Sequence, residues 1–175
     1  MQNYLAITAL GDNQPGIIEP LVKSIRDCGC NITDSRMSVL GDRFAMMLLL
    51  SGTWDTIAKM ESSLQRLEQQ LGIQLIAQRA QERRTDTGLM PYAVEVVAVD
   101  QSGIVHEIAN FFSDRGIKIE DMYSGIYTAA HTGTRMFSLH VTIGVPTDVS
   151  IAALRGEFMD FCDRLNLDAI LEPVK

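Results

Sequence analysis

Several things are scarce in this chain, and each scarcity removes a class of function. Only three cysteines occur among 175 residues; an odd number makes no disulfide framework, and a reducing cytoplasm is the expected home. Basic residues are outnumbered, 15 Lys and Arg against 22 Asp and Glu, which gives a formal net charge of −7. That sign repels phosphate backbones at long range, so direct nucleic-acid binding is not expected. There is no run of 18 apolar residues and no apolar stretch behind a basic N-terminal start, so neither a membrane span nor export is indicated. What remains is 46% hydrophobic residues, enough for one sizeable core or two small ones.

The most informative feature is an internal repeat. "NQPGIIEPLVKSIRDCGCNITD" from residue 13 registers without a gap on "DQSGIVHEIANFFSDRGIKIED" from residue 100, so that Gly16 falls on Gly103, Gly29 on Gly116 and Asp34 on Asp121. Further on, Ile57, Met60, Leu64, Leu67 and Leu71 fall on Ile151, Leu154, Phe158, Phe161 and Leu165. The offset grows there because the second copy carries a longer hairpin, "SGIYTAAHTGTR".

Hydrophobic period assigns the elements of each copy. "YLAITAL" is short and β-prone, whereas Ile18, Leu21, Val22, Ile25 and Cys28 form the stripe of an amphipathic helix that Gly29 ends as its C′ residue. Two β-prone runs flank Gly41-Asp42, the signature of a hairpin turn. Thr53 and Thr147 stand where N-caps belong, ahead of the second stripes, and "GIQLIAQ" and "NLDAILE" close the copies as strands. The order βαββαβ, twice, predicts an α+β protein of two ferredoxin-like units, each an antiparallel sheet under two helices. Their expected bounds are residues 1–81 and 91–175, joined by a polar linker at 82–90.

The N-x-P-G turn between strand and helix and the "GCNI" that opens the next strand resemble the ACT domain, a small-molecule-sensing βαββαβ unit; "DQSGIV" and "GIKIED" resemble a divergent second one. A tandem pair containing "CGCNITDSRMSVLGDRFAMMLLLSGTW" is similar to bacterial repressors of the glycine cleavage operon. That resemblance implies a non-catalytic regulator that senses a small amino acid, glycine first, and acts on a LysR-type transcriptional activator instead of gripping DNA. It also implies an amino acid held at a seam between paired units, and leaves a homo-oligomer open.

In this chain the matching positions are Asn13, Gln14, Pro15, Gly16, Ile17 and Asn31. Proline is tolerated at a helix start, glycine admits a ligand close to the backbone, and free N–H groups at a helix N-terminus hold a carboxylate. Asparagine offers both donors and an acceptor to an α-amino acid. The bland reading is that the same residues only cap a helix and shape a loop. The second copy departs from the pattern: Asp100, Gly103, Ile104 and Lys118 form at most a weaker second site, and Asp100 and Lys118 could simply pair with each other.

Other chemistries are less well served. Cys28-Gly29-Cys30 lacks the four ligands of a structural zinc site, and Cys28 and Cys162 lie on apolar stripes where packing is their expected role. His106, His131 and His140 fall on a helix, the long hairpin and a strand, outside any recognisable catalytic motif. No catalytic residue, metal or cofactor is therefore assigned. The RNA-recognition fold shares the strand order, but "DRFAMMLLL" offers one aromatic where stacking needs two. A generic amino-acid sensor acting on an enzyme or transporter is the alternative, and a small hydrolase a distant one.

Overall fold

A computed structural model describes residues 2–82 and 88–174. The chain divides into two compact units, Met1–Arg84 and Thr85–Lys175. The expected linker falls largely on residues 83–87, outside the described residues.

Unit 1 runs β1 (Asn3–Asp12), α1 (Ile18–Asp27), β2 (Asn31–Leu40), β3 (Arg43–Gly52), α2 (Trp54–Leu71) and β4 (Gln74–Ala80). Unit 2 repeats it as β5 (Leu89–Val99), α3 (Ile104–Ser113), β6 (Lys118–Thr128), β7 (Arg135–Pro146), α4 (Ile151–Arg164) and β8 (Asp168–Pro173). The sheets have the same order, β2-β3-β1-β4 and β6-β7-β5-β8, with every neighbouring pair antiparallel. The α+β, ferredoxin-like expectation holds in both copies. Strand β5 starts at Leu89, so residues 89 and 90 belong to the sheet and not to a connection.

Alternation along the central strands puts one face of each sheet under its helices. Leu5, Ile7 and Ala9 of β1 and Phe44, Met46, Leu48 and Leu50 of β3 are buried against Leu21, Ile25, Ile57 and Met60. In unit 2, Val94, Val96, Leu139 and Val141 meet Phe111, Phe112 and Phe158. Both first helices end in a Schellman motif. Cys30 N–H donates to Ile25 O and Gly29 N–H to Arg26 O, with Gly29 at φ +81°; Ile117 N–H to Phe112 O and Gly116 N–H to Ser113 O repeat the pattern. A Cβ on Gly29 would also meet Thr56 Cγ2 at 3.2 Å, so glycine is required there twice over.

One cap was misplaced by the sequence reading. Thr53 caps α2, its hydroxyl accepting from Thr56 N–H, but α4 is capped by Ser150, which accepts from Ala153 N–H. Thr147 instead donates its N–H to Gly88 O, because β7 runs on to Pro146 and a turn from Pro146 to Val149 intervenes before the helix.

Candidate functional site

The β1–α1 loop is built from short-range bonds. Asn13 N–H donates to Asp42 O at 3.0 Å, and Ile17 N–H to Gln14 O at 3.4 Å, closing a turn across Gln14, Pro15, Gly16 and Ile17. An ion pair between Asp12 and Arg43 anchors the strand end beneath it. Gly16 has φ +82°, and a Cβ placed there would meet nothing within 4 Å. The residue is therefore glycine for its backbone, and its flank is open to a ligand. Asn13, Gln14, Pro15 and Gly16 are all exposed.

Two details differ from the expected carboxylate cradle. Pro15 sits in the turn, three residues before Ile18, whereas Pro20 occupies the first helical turn and removes one of the donors that a helix start normally offers. Ile17 N–H is spent on Gln14 and its side chain packs on the core, so the donors aimed along the helix axis are those of Ile18 and Glu19. Glu19 already places a carboxylate in that first turn.

Asn31 is not part of this cluster. It pairs with Ser51, which pairs with Tyr4 on β1, whereas Asn13 lies beyond Asp12 at the other end of the same strand. Eight residues separate those rows, about 26 Å at roughly 3.3 Å per residue. The reason is topological: β1 and β2 are each antiparallel to β3, hence parallel to one another, and the crossover helix returns the chain to the starting edge. Within unit 1, no single small amino acid can touch both asparagines.

Unit 2 separates its counterparts in the same way. Asp100 does not pair with Lys118. Its carboxylate meets Arg135 at 3.2 Å, and its N–H donates to Arg135 O; Lys118 meets Glu120 at 3.2 Å. Gly103, at φ +93°, is the N-cap of α3, and Ile104 is buried in the core, where it cannot face a ligand.

Two of the thiols, Cys30 and Cys162, are poor nucleophiles. Burial pushes Cys162 up to about 12, and burial likewise raises Cys30, whose Sγ donates to Thr56 O at 3.4 Å. A thiol held protonated neither attacks nor ligates well. Among the described residues, no three His, Cys, Asp or Glu side chains gather as a metal-binding group. No described helix is long and apolar enough to cross a membrane.

The sequence reading missed a different cluster, on the open face of the unit 2 sheet. Tyr123 of β6 stacks on His140 of β7 with ring centroids 4.6 Å apart and planes 15° from parallel. His140 Nδ1 lies 3.7 Å from Glu95 Oε1 on β5. These side chains, with Asp121 and Thr142, line a shallow cleft of about 110 Å³. The available signal was the β-branched and aromatic alternation of β6, but a bulge between Ile119 and Asp121 shifts its parity.

The ACT-domain family profile matches residues 3–78, from the start of β1 into β4, and unit 2 repeats the arrangement of elements. Unit 1 matches the ACT domain. Over its full length the chain is 28% identical to the glycine cleavage system transcriptional repressor of Escherichia coli K12, across 99% of this chain and 91% of that one. A crystal structure provisionally assigned as a glycine cleavage system transcriptional repressor superposes with a TM-score of 0.72 at 27% identity, covering 100% of this chain and 99% of that one. A protein of Galdieria sulphuraria shares the fold at a TM-score of 0.81 and 21% identity, with both chains covered in full. A UPF0237 protein of Methanopyrus kandleri is 32% identical over 74 residues, 41% of this chain and 82% of its own.

Proposed function

We propose that this ACT protein is a non-catalytic, amino-acid-responsive repressor of a glycine cleavage operon, and that it works by binding a LysR-type activator. The observation that carries this reading is the similarity to the E. coli repressor, which runs through both units in the same order and not through one ACT domain alone. The acidic net charge supports contact with protein over contact with DNA. A cytoplasmic setting agrees with three unpaired, buried thiols.

The ligand in this reading is a small amino acid, glycine first, at the exposed β1–α1 loop. The N–H groups that open α1 receive its carboxylate, Gly16 allows close approach, and Asn13 supplies an amide. Asn31 plays no part at this loop. Calorimetric titration against the twenty amino acids tests the proposal. Glycine should bind, and Asn13→Ala should weaken it about ten- to a hundredfold, the equivalent of a hydrogen bond to a charged group. Thermal melting without ligand separates this from lost stability; an Asn13→Ala protein that melts and binds like wild type places the ligand elsewhere.

A further inference from the structure

The two units leave their open sheet faces in different chemical states. Opposite pairs in the ladders carry one row across each sheet: Arg36, Met47, Thr8 and Ile76 in unit 1, and Tyr123, His140, Glu95 and Ile170 in unit 2. On the unit 1 face, charges balance, with Asp12 paired to Arg43 and Asp34 beside Arg36. On the unit 2 face, Lys118 at one corner is taken up by Glu120. Glu95, Asp121, Asp168 and Glu172 share that face, and among its described residues no other lysine or arginine answers them.

Between those carboxylates the unit 2 face is apolar and exposed: Tyr123 63%, Val99 59%, Ile170 54% and Tyr127 46%. Exposed tyrosines amid apolar side chains are the usual anchors of protein interfaces. Four strands about 4.8 Å apart, one of them short, make a face of roughly 600 Å². That approaches the roughly 800 Å² each partner buries in a standard complex.

We propose that this face of unit 2 is the docking surface for a protein partner, and that the partner presents arginine or lysine among apolar residues. The charge decides between occupants. Four carboxylates with no lysine or arginine facing them among the described residues, and only His140 beside Glu95, repel nucleic acid and anionic lipid, and they repel a second copy of a chain whose net charge is −7. They attract a basic side chain, and the 110 Å³ cleft between Glu95, Asp121 and Tyr123 has room for the head of one. There a guanidinium or ammonium meets carboxylates on two sides, beside the stacked Tyr123 and His140 rings. The surface assignment rests on the reading that repression proceeds by protein contact, and it names the part of the molecule that makes it.

The test is binding of the full chain to the purified LysR-type activator, measured by calorimetry. The wild type should bind, and binding should weaken as salt rises. Glu95→Lys with Asp121→Lys should weaken it at least a hundredfold, and Tyr123→Ala at least tenfold. Thr8→Lys, at the position of Glu95 on the unit 1 face, should change it less than twofold. All four positions are solvent-accessible, and unchanged melting and glycine titration would show that the variants are folded. If the wild type binds and the unit 2 variants bind within twofold of it, the surface is elsewhere. If the wild type does not bind the activator with or without glycine, the protein-contact reading fails, and this assignment with it. If sedimentation shows a dimer that Tyr123→Ala dissolves, a second copy covers the face and the basic partner is refuted.

Discussion

Units 1 and 2 share every element and both sheet orders, yet they solve the same packing problem with different side chains. Unit 2 fills the space under its helices with a ring cluster: Phe111 contacts Phe112, Phe158 and Phe161 at centroid distances of 5.3, 5.2 and 4.8 Å. The Arg115 guanidinium lies 3.7 Å from the Phe111 ring centre. Unit 1 fills it with Leu21, Ile25, Ile57, Met60 and Leu67 around a single Phe44. The inward faces changed in shape but stayed apolar, as close packing requires. The outward faces were under no such constraint, and there unit 1 kept a charge-balanced surface whereas unit 2 gathered carboxylates and tyrosines. Duplication with divergence of the open face leaves one unit free to take a partner while the other retains the N-x-P-G loop.

The strongest way to break this comparison is through the cores. Phe158 is fully buried and stacks near both Phe111 and Phe112, whereas its counterpart Leu64 is only partly buried. Phe158→Ala should cost about 3–5 kcal/mol, and Leu64→Ala toward 2 kcal/mol or less, because its site is already partly open to water. Urea unfolding followed by hydrogen exchange in each unit measures both. Equal costs would mean that the two cores are filled to the same tightness despite their chemistry.

The caps give the next, smaller difference. Thr53→Ala and Ser150→Ala should each cost about 1 kcal/mol, and removing the Thr147 hydroxyl should cost close to nothing, since its side chain caps no helix. Melting temperatures of the three variants rank them; a Thr147→Ala protein as unstable as Ser150→Ala would restore the cap read from the sequence.

That misplaced cap shows where sequence reasoning stopped. Stripe and alternation were legible because they report burial, which is local to one element, and so Leu21, Ile25, Ile57 and Met60 were placed correctly. The repeat was legible because Gly29 and Gly116 must both take positive φ to end a helix. Properties that depend on register between strands were not. Asn13 and Asn31 look like neighbours in a motif, and only the parallel relation of β1 and β2 sends them to opposite ends of the sheet. The acidic face was hidden for a related reason. Period-two counting from Lys118 puts Glu120 and Met122 on its side, but the bulge hands that side to Asp121 and Tyr123.

The smallest expected difference between the units lies in their response to acid. In unit 1, Arg79 of β4 grips Glu61 of α2 through two hydrogen bonds of 2.7 Å, and these hold the Glu61 carboxyl below the usual carboxylate range. At the repeat-related position in unit 2 stands Arg155, whose Nε donates to the backbone oxygen of Leu171 at 3.0 Å. Both ties join the second helix to the last strand, but only the first contains a titrating acceptor. Because the folded pKa of Glu61 lies below its unfolded value of about 4.3, its stabilisation is complete above that value and is lost as pH falls through the folded one. Glu61→Gln should therefore flatten the acid side of the stability curve below about pH 4.3. At neutral pH it should lose that same contribution and no more, a small one, since the pair is more than a third exposed and screened by solvent. Arg155→Gln should lower stability by a similar amount at every pH, with no change in slope. Urea unfolding of both variants from pH 7 to pH 3 reads the two slopes. An acid limb unchanged by Glu61→Gln would mean that other carboxylates carry the pH dependence and that the two ties are electrostatically equivalent.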